Sequence, residues 1–156
     1  MRQLITRQVD KPAEGADWTF VPSAGDSVRL LAITAKLVTS SASASRAVVL
    51  QAVDENGLIL DAFPTVDAQV ASKTVLYVWD DASTMSSAGS DSLTFTQAVP
   101  KFWLPPQTTI KTVTALIDTD DQWSNIVATF HVTDALRWAE AEALIDQLGS
   151  MLSPNG

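Results

Sequence analysis

The 156-residue sequence has no cysteine and one histidine, and these two shortages remove whole classes of chemistry. Without thiols there is no disulfide, no thiolate nucleophile and no cysteine zinc site, while the redox compartment stays open. The lone imidazole, His131, leaves no HExxH pair for zinc, and no GxSxG elbow supplies a serine nucleophile for it to serve. Basic residues are also scarce. Ten Lys and Arg against eighteen Asp and Glu give a net charge of −8, the wrong sign for a general nucleic-acid surface. No apolar run approaches the roughly 20 residues that span a bilayer, and no basic amphipathic helix suggests membrane binding. The opening MRQLITRQVDKPAEG lacks the apolar core of a signal peptide, so the expectation is cytoplasmic synthesis without Sec export. No phosphate-cradling glycine loop is present, and no cofactor is expected.

What remains is a chain with 46% hydrophobic and 18% charged residues, a balance that folds rather than staying disordered. Its length fits one domain. Most of it alternates with a period of two. In VRLLAITAKLVT, Leu31, Ile33, Ala35 and Leu37 share one face and Thr34 and Lys36 the other, which predicts a strand. RAVVLQAV predicts the next, and the SSASAS run between them suggests a hairpin. DENG is a turn in which Gly57 takes positive φ, with LILDAF returning. WTFV, KTVLYVW, SLTFTQAV, TTIKTVTALI and NIVATFHV bring the total to about eight strands. Turn-sized gaps between them predict a mainly β chain, an antiparallel β-sandwich or jelly roll. In NIVATFHV, His131 shares the polar face with Asn125, Val127 and Thr129, a surface position.

After residue 132 the period changes. TDALRWAEAEALIDQLGSML predicts a C-terminal α-helix, with Thr133 or Asp134 as N-cap, Asp134 near its positive end and Gly149 as a stop signal. Trp138, Ala141, Ile145, Leu148 and Leu152 advance by alternating steps of three and four and form one apolar stripe. That stripe packs either on its own sandwich or on a partner. The expected organisation is an N-terminal arm at 1–17, a sandwich at 18–132, the helix at 133–152 and a tail at 153–156.

The densest acidic stretch is DTDDQW, Asp118 to Trp123. Read as an EF-hand loop it fails: Gln122 stands at position five, Trp123 replaces the glycine at six, and Thr129 falls where the bidentate glutamate belongs. A different calcium site using Asp118, Asp120 and Asp121 needs ligands from another loop. The simpler expectation is a hydrated connection between two strands, with no metal. Paired carboxylates for glycoside hydrolysis have no readable separation here, so the chain is expected not to be an enzyme. Five tryptophans raise carbohydrate stacking as an alternative. Trp18, Trp79, Trp103 and Trp123 fall near strand ends or turns, where core and rim packing is the competing role.

The succession FVPSAGDSVRLLAITAKLVTS, RAVVLQAVDENGLIL and FWLPPQTTIKTVTALIDTDDQWSNIVATFHV resembles small β-sandwich structural proteins of tailed bacteriophages. The likeness spans roughly residues 18 to 132 and rests on turns and strand patterns. It implies a virion protein, most like a capsid decoration or cement protein on the outer capsid surface, made in the host cytoplasm. Its partners would be the major capsid protein and, as a homotrimer, itself. The alternative is a tail- or head-fibre-associated receptor or carbohydrate-binding module, for which a glycan would be the ligand. Candidate contact regions are the N-terminal arm, the loop from Ser83 to Ser92 and the helix stripe, with Met85, Trp138, Ile145, Leu148 and Leu152 as partner-binding residues.

Overall fold

The computed structural model describes residues 2–65, 67–81, 86–87, 94–99, 101–133 and 135–152. Among the described residues ten strands form two facing sheets, followed by one helix. The strands are β1 (Arg2–Val9), β2 (Thr19–Phe20), β3 (Ser27–Val38), β4 (Ala47–Val53), β5 (Ile59–Pro64), β6 (Thr74–Asp80), β7 (Ser86–Ser87), β8 (Thr94–Ala98), β9 (Thr109–Ala115) and β10 (Gln122–Thr133). The helix, α1, spans Ala135–Leu152. One sheet runs β1-β10-β3-β6-β8-β7 and the other β2-β9-β4-β5, so the chain is a β-sandwich. Among the described residues every strand pairing is antiparallel except β6 with β8, which run parallel in register from Leu76↔Thr94 to Asp80↔Ala98.

Two expectations about connectivity change. The segment read as an arm supplies β1, which pairs along β10 from Arg2↔Thr133 to Val9↔Ile126. The expected hairpin between β3 and β4 does not form, because the two strands belong to different sheets and residues 39–46 cross between them. The DENG hairpin does form: β4 pairs β5, the Asp54 carboxylate accepts from the Asn56 and Leu58 amides, and Gly57 sits at φ 85°.

Alternation places the core, with two interruptions. Ile33, Ala35 and Leu37 point inward, but Leu30, not Leu31, continues that face. The cause is a bulge. Thr129 pairs Ala32 while Phe130 pairs Leu30, so Leu31 has no opposite number in β10; its carbonyl accepts from the Asp81 amide at 3.0 Å. A second bulge in β10 sets Asn125 and Ile126 opposite Ala35 alone, and Asn125 takes φ 50°, a left-handed conformation asparagine tolerates well. The larger sheet contributes Tyr77, Trp79, Trp123 and Phe130 to the core, and the smaller sheet contributes Val48, Leu50, Ala52 and Ile110. Trp18 enters from the segment before β2 and meets Trp79 edge-on at 6.4 Å. Gly149 does not stop the helix, which continues through it to Leu152.

Candidate partner-binding surface and the buried ionic pin

The acidic stretch divides by orientation. Asp120 is exposed and Asp118 half-buried, but Asp121 is fully buried and faces Arg46, which is equally buried. Arg46 Nε donates to Asp121 Oδ2 at 2.8 Å and Nη2 donates to Oδ1 at 3.0 Å. The remaining guanidinium protons reach Ser40 Oγ at 3.0 Å, the Ala42 carbonyl at 2.8 Å and the Ala44 carbonyl. All five donors of the fork are used. Asp121 is equally saturated, since Oδ1 also accepts from the Ser40 amide at 2.7 Å and Oδ2 from the Asp118 amide at 2.8 Å. Burial pushes the Asp121 carboxyl up, but the Arg46 side chain, the Asp118 and Ser40 amides and the Arg46 charge outweigh it. The net position is below the usual carboxylate range.

This pair closes one end of the sandwich. It ties the β3–β4 crossing to the β9–β10 crossing, each of which passes between sheets. Arg46 also exchanges backbone hydrogen bonds with Gln69 at 2.8 Å each way. The Gln69 amide donates to the Leu37 and Lys73 carbonyls at 3.0 Å, and its oxygen accepts from Tyr77 OH at 3.0 Å. Gly15 covers the turn from outside, donating its amide to the Asp121 carbonyl at 2.8 Å. Asp121 is therefore a structural group whose acceptor positions are already filled, and the expectation that the whole stretch is hydrated holds only for its outer carboxylates. Among the described residues no group of three or more His, Asp or Glu side chains converges.

The tryptophans divide too. Trp18, Trp79 and Trp123 are fully buried, and Trp123, at the end of the acidic stretch, is a core residue in ring contact with Tyr77 at 5.2 Å. Trp103 is half-buried, with the Arg2 guanidinium 5.5 Å from its ring centre. It lines a cleft of about 300 Å³ with Arg2, Ser27 and Thr133. His131 lies on the outer face of β10, half-buried, opposite Leu4 on β1.

At the end opposite the ionic pin, β10 leads into α1 after a single intervening residue. Residues 143–152 are exposed all round, including Ile145 at 67%, Leu148 at 56% and Leu152 at 80%. No element of the described chain covers this part of the stripe. Leu144 and Met151, also exposed, widen it and were not among the residues picked from the sequence. A three-four count finds one seam, and a neighbouring row at the same spacing is visible only when the whole helical surface is drawn. The Trp138 side chain, Met85, and residues 83–85 and 88–92 of the Ser83–Ser92 loop lie outside the described residues, as does Asp134. Ser86 and Ser87 form β7 on the edge beside β8. No helix among the described residues is long and apolar enough to cross a membrane. Compared with known proteins, the chain matches no family model, and no curated sequence is significantly similar to it.

Proposed function

We propose that this chain is a non-enzymatic virion structural protein that decorates an assembled phage capsid, binding the major capsid protein on the outer surface as a homotrimer. The observation that carries the reading is the uncovered apolar stripe of α1, set at the opposite end of the sandwich from the ionic pin. A rigid body with one adhesive projection suits a clamp. Its most organised polar cluster, Arg46 with Asp121, is spent internally on joining two crossings, which supports a structural role for these residues rather than a catalytic one. The likeness to small phage sandwiches comes from the turns and strands that build this body. Joining copies through that stripe repeats the faces of the sandwich around a symmetry axis, so contacts with the shell become effectively intramolecular after the first and weak individual contacts add up.

The carbohydrate reading draws less support. A glycan platform needs two or more indoles exposed on one plane, and three of the four described indoles are fully buried. Cryo-EM of assembled particles containing this chain tests the proposal. Outer-shell density bridging capsid subunits is the expected result, and density confined to the tail or missing from particles defeats it.

A further inference from the structure

We propose that α1 is a parallel self-association helix whose apolar stripe packs against the same stripe of two sister copies. The inference starts from the adhesive helix of the proposed function and commits that surface to the chain itself. In heptad terms Ile145 and Leu152 stand at a, Leu148 at d, and Leu144 and Met151 at g. Extended backwards along the sequence, the register gives Trp138 at a, Ala141 at d, Arg137 at g and Glu142 at e. A seam of a and d alone suits two helices, whereas adding g makes a broader face that a bundle of more than two helices buries.

The register also favours one direction. In parallel helices a g residue meets the e residue five positions on in its neighbour. Arg137 then corresponds with Glu142, a pair of opposite charge, and Leu144 corresponds with Gly149, a large residue against the smallest. An antiparallel arrangement loses both matches. Gly149 gives independent support. It lies inside the helix, its φ is not left-handed, and a Cβ added there meets nothing within 4 Å. Glycine weakens a helix relative to alanine, and within one chain nothing requires its missing side chain. A Leu144 from a sister copy does. Because only residue 134 separates β10 from α1, parallel helices also gather the sandwiches at one end, where contacts between them enlarge an interface that 18 residues per helix alone would leave small.

The test uses the full chain. Native mass measurement should return three times the chain mass, and Ile145→Asp with Leu148→Asp should reduce it threefold while circular dichroism keeps the β signal. If that variant loses its sheets, two other substitutions decide instead. Leu152→Cys, the only thiol in a cysteine-free chain, should oxidise to linked pairs because parallel helices bring the same position together. Arg137→Glu should weaken assembly, and adding Glu142→Arg should restore it. A monomer at high concentration, a trimer that survives the double Asp variant, or a trimer whose Leu152→Cys never cross-links each overturns the inference. A monomer that binds shells through Ile145 and Leu148 overturns it while sparing the virion role. A trimer absent from particles does the reverse.

Discussion

Arg46 and Asp121, 75 residues apart, meet through two hydrogen bonds of 2.8 and 3.0 Å with no solvent on either side chain. Removing one partner strands the other charge in the interior, a loss of about 3–5 kcal/mol. Arg46→Met and Asp121→Leu should each lower the unfolding free energy measured by urea titration by that order. The double variant should be more stable than the sum of the two, because it leaves no unpaired charge. Strict additivity in a double-mutant cycle would show that the two groups do not act as a unit.

The same pair sets an acid limit. Folding lowers the Asp121 carboxyl below its ordinary value, so the unfolded chain takes up a proton first as pH falls. Its contribution is complete above the unfolded carboxylate value of about 3.9 and fades as pH drops through the lower folded value. Thermal melts from pH 6 to pH 2 should show this loss. Asp121→Asn should be less stable at pH 6 and flatter with acid; a parallel displacement of the two curves would assign the acid sensitivity to other carboxylates.

Strands buried on one face were legible because such burial imposes a period of two, and Ile33–Ala35–Leu37 and Ile126–Ala128–Phe130 display it. β1 was not. RQLITRQV is an edge strand buried only at Val9, so its composition carries no alternating signal. The β3–β4 crossing was also hidden, since a serine-rich link reads alike whether it turns back or changes sheets. What directs it here is Arg46, whose partner lies across the fold. Asp121 was unreadable beside Asp118 and Asp120 for a related reason: three identical carboxylates in one run differ only in which way the turn aims them. The helix was plain from its stripe, but whether that stripe is covered depends on where β10 ends in space.

Gly15 tests how tightly the N-terminal segment clasps the acidic turn. It has φ 71°, and a Cβ there would come within 2.8 Å of the Thr119 Cα, which is backbone and has little room to give. Gly57 is a matched control, with φ 85° and open space around it. Gly15→Ala should cost about 1–3 kcal/mol from backbone strain, with the collision adding to it. Gly57→Ala should carry the strain alone and cost less. Equal losses in chemical denaturation would mean that the segment moves aside freely.

Tyr77 is the only tyrosine, which makes its ionisation readable by absorbance without overlap from another phenol. It is buried against Trp79, Phe95 and Trp123, and its hydroxyl donates to Gln69 Oε1 at 3.0 Å. Burial pushes the phenol above its ordinary range, because the phenolate would lose hydration it cannot replace. A raised value means the folded state holds the proton more tightly than the unfolded one. Stability from this group is therefore complete below the unfolded value of about 10 and declines as pH rises toward the higher folded value. In an alkaline titration the phenolate band should appear together with loss of the β signal, not before it. Tyr77→Phe should be less stable near neutrality by about 1–2 kcal/mol, since it leaves the Gln69 oxygen unpaired, yet decline less steeply above pH 10. A phenolate band that develops near pH 10 in a chain still folded would place Tyr77 in contact with solvent and undo this account of the core.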